Sequence, residues 1–349
     1  MTKANSPLEG RHEAQDELDR SVGVSPGAAG NEAPEGGGDA QAGITRGMRG
    51  SLVHNSRAGG TGNDPGQLIE LLAQSGIEVE HVPSDSPQDL SKVRNEPGDF
   101  VVVAGGDGTF REAAKWFVGT GVPLVHLPMG TANNVSRGLG IARPVPELIR
   151  ELPFARLTAV DVAWVRGGWG RELLVEGAGL GAFANMLSAY DPSEGKNLLR
   201  AAGVVANELG SENPVHCRLD VDGQLIEGEY LMVQVMNTPA VGPRLTIGDQ
   251  ASPLDGLLDV VLIRFENRDA IINYVTSLVS GTLTSLPSVE VYKARRVQLT
   301  WKGSALHVDD QSLCKEAIEA PEKGFSAAVE VEPGALQMLL PPGDSQVSE

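Results

Sequence analysis

Three loops in this chain combine glycine with amide, hydroxyl and carboxylate side chains in a pattern suited to phosphate chemistry. In FVVVAGGDGTFREAA, Phe100 to Ala114, an apolar run leads into Gly105, Gly106, Asp107, Gly108 and Thr109, and a helical pattern follows. A strand-to-helix turn of this kind presents free backbone N–H groups, which bind anions well. An aspartate there adds charge of the wrong sign for a phosphate cradle, unless it serves a metal ion or a proton transfer. In LPMGTANNVSRG, Leu127 to Gly138, Gly130 and Thr131 repeat the Gly-Thr pairing. Thr131 can cap the next helix or bind a phosphate oxygen. A third loop, Asn55 to Gly60, carries two glycines that would let it fold over a nucleotide. No GxxxxGK[ST] occurs, so none of these is a Walker loop.

The elements around these loops place them together. SLVHN, IEVEHV, DFVVVA and PLVHLP read as strands, and QLIELLAQSG, SPQDLSKVRNEPG and FREAAKWFVGTG as the helices between them. Strand–helix alternation implies a parallel sheet covered on both faces, with ligands bound at the carboxyl ends of its strands. The loops at Asn55, Gly105 and Met129 each follow a strand, so they should be neighbours. After about Glu151 the pattern changes to period two, with turn signals such as Asp222-Gly223. That half reads as an antiparallel sandwich or barrel with helical inserts at roughly 183–209 and 267–281. The expected organisation is a disordered tail over 1–48, an α/β domain over 49–152, a β-sandwich domain over 153–341 and a frayed end over 342–349.

Composition narrows the function classes. The chain has 349 residues, 41% of them hydrophobic, enough for two domains with sizeable cores. Its net charge of −18 argues against non-specific nucleic-acid binding, which needs Lys and Arg to neutralise phosphates. Cys217 and Cys314 form no framework, no apolar run approaches a spanning helix, and the N-terminus lacks a signal peptide's apolar core. These features predict a cytoplasmic protein. His54 and His126, on predicted strands, read as satisfied core histidines. Lys293 to Arg296 read as a solvated face, with a contact to anionic lipid as the alternative.

GGDGTxxE, then PxGTxN, then a first-strand Asn with a glycine loop together resemble the diacylglycerol kinase and sphingosine kinase family, and its bacterial soluble lipid kinases in particular. NTPAVGPRLTIGDQASPLDGLLDVVLI, TAVDVAWV, VEGAGLGAFAN and VEVEPGALQMLLP extend the resemblance over roughly residues 50–341. It implies a phosphofructokinase-like α/β domain and an all-β sandwich enclosing a site where ATP and Mg²⁺ phosphorylate a lipid hydroxyl. The lipid would be met transiently at a membrane surface, and a homodimer is compatible.

Carried over by position, the nucleotide contacts would be Asn55, Ser56, Arg57, Ala58, Gly59, Ser84, Gly105, Gly106, Asp107, Gly108, Thr109, Glu112, Gly130, Thr131 and Asn133. A structural Mg²⁺ would take Asp255 with the carbonyls of Ser252 and Leu257. The family's Asp-Gly-Glu near the end of the sandwich becomes Asp309, Asp310 and Gln311 here. An amide such as Gln311 accepts no proton at neutral pH, so Asp309 or Asp107 must act as base. Asn134 stands where many relatives carry Asp.

Other readings stay open: an NAD-kinase-like phosphotransferase on a soluble substrate, or a non-catalytic nucleotide- or lipid-binding relative. A dehydrogenase would use Gly177, Gly179 and Ala182, a near match to the dinucleotide fingerprint. That match lacks the expected second strand with its acid, so tight packing at a sheet edge explains it better.

Overall fold

At the centre of the N-terminal half lies β3 (Phe100–Gly105), buried along its whole length. The structure is a computed structural model that describes Ile44 and residues 47–55, 64–83, 87–189, 198–210, 214–266 and 269–342. β1 (Arg49–His54) pairs in parallel with β2 (Glu78–Pro83) on one side and β3 on the other, and β3 pairs in parallel with β4 (Leu124–Pro128). The helices between them are α1 (Pro65–Gln74), α2 (Pro87–Asn95) and α3 (Asp107–Phe117). Asp64 starts α1 by accepting the Gly66 N–H at 3.0 Å, with proline at the first helical position. α3 buries Phe110, Ala113, Ala114 and Phe117, the i, i+3, i+4, i+7 stripe of an amphipathic helix. Truncating Phe110 to alanine would cost about 3–5 kcal/mol. Ile44, ahead of β1, is buried in the same core. Residues 1–43 and 45–46 of the expected N-terminal tail and residues 343–349 lie outside the described residues.

Two short helices, α4 (Asn134–Gly138) and α5 (Val145–Glu151), lead into β5 (Arg156–Gly167). β5 pairs antiparallel with the long β17 (Phe325–Leu340), which meets β4 through a parallel bridge at Met338 and Leu124. The register shifts between Glu332 and Leu336, around Pro333 and Gly334. Proline has no N–H for the ladder, and Gly334 adopts φ 63°.

The remaining strands are β6 (Gly170–Leu174), β7 (Gly177–Gly181), β8 (Val215–Val221), β9 (Gln224–Met236), β10 (Ala240–Val241), β11 (Leu245–Thr246), β12 (Leu258–Arg264), β13 (Val289–Ala294), β14 (Arg296–Trp301), β15 (Leu306–Val308) and β16 (Gln311–Leu313). Most of them extend the sheet in the order β16-β15-β7-β9-β8-β14-β17, with β6 paired to β5 and β12 to β9 and β13, while β10 and β11 pair apart. Tyr230, Val233, Val260, Leu299 and Trp301 belong to the sandwich core. Within the predicted helical inserts the structure has α6 (Ala182–Ala189), α7 (Leu198–Leu209) and α8 (Ile271–Ser280). A one-turn helix, α9 (Glu316–Glu319), precedes β17.

Two details depart from the sequence reading. The run from Val289 to Trp301 reads as one strand but divides at Arg295: β13 pairs with β12, whereas β14 pairs with β8 and β17. The Asp222 carboxylate accepts the N–H groups of Arg295 and Arg296, which holds the division. β7 is an interior strand between β9 and β15 rather than a sheet edge. A Cβ at Gly179 would lie 2.2 Å from the Val233 carbonyl oxygen, so this glycine serves close strand packing, as the weighing against a dinucleotide site expected.

Candidate active site

Because β2 and β3 flank β1, the loops leaving β1 and β3 diverge at a topological switch point, where open α/β sheets bind ligands. Asn55 leaves β1 there, and its Nδ2 donates to Thr109 Oγ1 at 2.9 Å. Ser56, Arg57, Ala58, Gly59 and Ser84 lie outside the described residues. The glycines of the other two loops have a packing reason. A Cβ at Gly105 would sit 2.6 Å from Thr109 Cβ, and one at Gly130 would sit 2.7 Å from Gly106 Cα. The two loops therefore meet backbone to backbone.

Asn133 closes the second loop on itself. It adopts φ 54°, its Oδ1 accepts the Gly130 N–H and its Nδ2 donates to the Gly130 carbonyl, both at 2.9 Å. Thr131 is exposed, and its carbonyl accepts from Arg244 Nη2, which ties this loop to the β10–β11 hairpin. Asp107, the residue that looked out of place among the glycines, begins α3, and its Oδ1 accepts the Val135 N–H at 3.1 Å. It thus links the two glycine loops.

The sandwich supplies the opposite wall. The chain breaks between β6 and β7 because Asp309 collects the freed N–H groups. Its Oδ1 accepts from Glu176 (2.8 Å) and Gly177 (3.1 Å), and its Oδ2 from Val175 (3.2 Å). Asp309 sits in the turn between β15 and β16 with φ 51°, 3% exposed. Burial raises its carboxyl pKa to about 6, against the opposing pull of Arg111 and the three N–H bonds. His307 Nδ1 braces the Asp309 carbonyl at 3.1 Å, and burial lowers that ring's pKa to about 3, so it is neutral. Gln311 begins β16 opposite Val308 and is outside the set of residues that lines the cleft.

Asp107, Gly108, Arg111, Glu176, Gly242, Asp309 and Asp310 converge on a narrow cleft of about 20 Å³. Sequence reasoning missed Arg111 and Glu176. Arg111 lies four residues after Asp107 on α3, so the two share a helix face; that spacing was the available signal. Glu176 had none beyond an acid beside glycine, inside the segment that mimics a dinucleotide fingerprint. Its Oε2 accepts from Asn134 Nδ2 (2.9 Å) and the Gly242 N–H (3.2 Å). Asn134, the departure noted in the sequence, is thus paired with a carboxylate supplied from elsewhere. Burial, and then the Asp107 and Asp309 charges, push the Glu176 carboxyl well above the usual carboxylate range. Glu112 sits just outside. Burial works to raise its carboxyl, but Lys115 and Arg111 together hold it below the usual range. His126 is a satisfied core histidine, between the Gly105 carbonyl (3.2 Å) and Ser136 Oγ (2.9 Å).

The loop from Ser252 to Leu257 was the expected structural metal site. Asp161 anchors it by accepting the Gly256 N–H, and Asp161 also takes the Gly334 N–H, both at 2.7 Å. Asp255 Oδ1 accepts the Leu257 N–H at 3.0 Å, and Oδ2 accepts from Lys293 Nζ at 2.9 Å. The same ammonium lies 2.9 Å from the buried Asp259 carboxylate. Lys293, Arg295 and Arg296 are exposed, as expected of a solvated face, and Lys293 is in addition ion-paired. A protein cation already occupies the Asp255 carboxylate, so this arrangement does not fit a divalent ion. Among the described residues, no three His, Cys, Asp or Glu side chains are grouped to hold a metal. The cleft is different: a nucleotide-borne Mg²⁺ keeps several waters and asks one or two carboxylates of the protein, which Asp107 can provide.

Known proteins agree first on a class, phosphotransferases acting on an alcohol acceptor. The diacylglycerol kinase catalytic domain model matches residues 49–165, which hold the glycine loops. The YegS C-terminal NAD kinase beta sandwich-like domain model matches residues 177–340, which hold Asp309. The chain belongs to this family of diacylglycerol and YegS-like lipid kinases. It is 30% identical over 256 residues to a Pseudomonas aeruginosa protein named "Probable lipid kinase YegS-like", covering 71% of this chain and 79% of that one. It is 24% identical over 281 residues to a Mycobacterium tuberculosis diacylglycerol kinase, covering 78% of this chain and 88% of the relative. A Bacillus anthracis diacylglycerol kinase structure shares the fold at a TM-score of 0.61 and 19% identity, over 84% of this chain and 97% of that one. Among the described residues, no helix is long and apolar enough to cross a membrane.

Proposed function

We propose that this chain transfers the γ-phosphoryl group of ATP, with Mg²⁺, to the hydroxyl of a diacylglycerol-like or sphingoid lipid met at a membrane surface. The observation that carries this reading is the meeting of Asp107 and Asp309 in one cleft beside two glycine loops at the carboxyl ends of parallel strands. The loops around Gly105, Gly106, Gly108, Thr109 and Thr131 orient the phosphates, with Asn55 setting Thr109. Bound Mg²⁺ supplies charge neutralisation to the phosphate oxygens, and Asp107 is the carboxylate placed to hold it. The acceptor oxygen forms a bond to the γ-phosphorus as the bond to the ADP oxygen breaks, and Asp309 accepts the hydroxyl proton. A carboxyl with a pKa near 6 is basic enough for that role yet ionised at neutral pH. Such a reaction rests on positioning and electrostatics rather than covalent chemistry.

The test is transfer from radiolabelled ATP to a panel of lipid hydroxyls, with the product identified by mass. Loss of transfer on chelating Mg²⁺ is expected. No transfer by the wild type with any acceptor overturns the reading, as does full activity in both Asp107→Ala and Asp309→Ala. One observation favours a second reading, a nucleotide binder without turnover: three backbone N–H groups already engage the Asp309 carboxylate, and Gln311 brings no base. An ATP-induced rise in melting temperature without turnover selects it.

A further inference from the structure

We infer that Arg111 is a further catalytic residue, whose guanidinium binds the transferring phosphoryl group. The inference rests on the phosphotransferase reading of the cleft. Arg111 stands on the second turn of α3, one turn after Asp107, and its side chain is 3% exposed. Its Nη2 donates to Glu112 Oε1 at 3.2 Å. Its Nε and Nη1 make no hydrogen bond. Asp309 Oδ2 and Asp310 Oδ1 both lie 3.9 Å from Nη1, too far for hydrogen bonds. Their attraction keeps the guanidinium charged and in place but leaves its N–H donors vacant.

A guanidinium carries five N–H donors, and buried donors without acceptors are costly. Folded proteins rarely leave them so unless water or a ligand completes the set. Arg111 lines the cleft together with Asp107 and Gly108, at the start of the helix that follows the first glycine loop. An acceptor arriving there has phosphoryl oxygens, which an arginine fork engages by paired, charge-assisted bonds. As the acceptor oxygen bonds to the γ-phosphorus and the bond to ADP breaks, negative charge spreads over the three equatorial oxygens. Arg111 meets that charge, and Asp309, held beside it, receives the proton. The cation that other phosphotransferases bring from a lysine loop or a partner protein is here part of the helix itself.

The experiment compares wild type, Arg111→Lys and Arg111→Ala in steady-state lipid phosphorylation, in calorimetric binding of ATP and ADP, and in thermal melting. Arg111→Ala is expected to lose on the order of 10³-fold in kcat, with a smaller change in the KM for ATP. Added guanidinium chloride should restore part of the loss, and Arg111→Lys should fall between. The wild type is expected to bind ATP more tightly than ADP, and the alanine variant to lose that difference. An Arg111→Ala kcat within twofold of wild type overturns the inference. So does a loss that guanidinium leaves untouched in both variants while melting falls in parallel, which marks a purely structural arginine. The binding arm separates the two proposals. Arg111-dependent preference for ATP in a wild type that phosphorylates no lipid sinks the lipid kinase reading alone. Unchanged nucleotide binding with unchanged turnover sinks this one alone.

Discussion

Two cations in this molecule each face a pair of aspartates, and the pairs behave in opposite ways. Lys293 stands 2.9 Å from both Asp255 and Asp259. Arg111 stands 3.9 Å from both Asp309 and Asp310. The first arrangement is closed around its cation: the ammonium bonds Asp255, in the loop that Asp161 holds, and lies in direct ion contact with Asp259 on β12, whose oxygens accept no hydrogen bond. The second is open: two carboxylates face the guanidinium at a distance, yet its Nε and Nη1 groups donate to neither. Direct contact of the cation with its carboxylates, rather than charge or burial, distinguishes a structural ion cluster from one whose cation has donors left for an incoming ligand. The family resemblance implied the reverse emphasis, a metal at Asp255 and nothing at Arg111.

The sharpest way to break the open cluster is at its carboxylate. Asp309→Asn keeps shape but removes the proton acceptor, and lipid phosphorylation should fall about 10²–10⁴-fold. A fall of less than tenfold would move the base elsewhere, with Glu176 the next carboxylate to replace.

A change of pH should separate the clusters next. With Asp309 titrating near pH 6, kcat/KM should lose activity as pH drops through about 6, and this limb should move upward in Arg111→Ala if activity remains measurable, because the arginine charge favours the ionised acid. The stability linkage runs the other way. The folded pKa is raised above 3.8, so the contribution of protonated Asp309 is complete below that value and lost as pH rises through about 6. An unchanged acid limb in Arg111→Ala would separate Arg111 from Asp309.

Breaking the closed cluster should leave the chemistry alone. Lys293→Met strands the buried Asp259 carboxylate. Because Lys293 is itself 41% exposed, solvent screening reduces the cost to about 1–2 kcal/mol, below that of breaking a fully buried pair. The melting temperature of this variant should rise with added Mg²⁺, while that of the wild type stays flat. A Mg²⁺ response in the wild type would restore the metal expectation at Asp255. The smallest effect is expected at Gly108, where an added Cβ meets nothing nearer than Asp310 Oδ2 at 3.8 Å. Gly108→Ala should stabilise the helix by about 0.5–1 kcal/mol in a denaturant titration. Gly130→Ala, which collides with Gly106 backbone, should destabilise.

How much was legible varies with the range of the interaction. The sequence by itself determined the alternation of buried strands and amphipathic helices, the change to period two after the first half, and the glycine turns with Asp107 and Thr109. These follow from local periodicity and backbone freedom, so adjacent residues carry them. The resemblance of those motifs also located Asp309 and flagged Gln311. Only the tertiary structure decided that Asp309 would gather N–H groups from 132 to 134 residues away, that Glu176 would sit on Asn134, and that Lys293 would take the Asp255 carboxylate. The same holds for the open guanidinium of Arg111. Each depends on which distant segments meet and at what distance, and a carboxylate or cation has the same letter in the sequence whether its partner is 2.9 or 3.9 Å away.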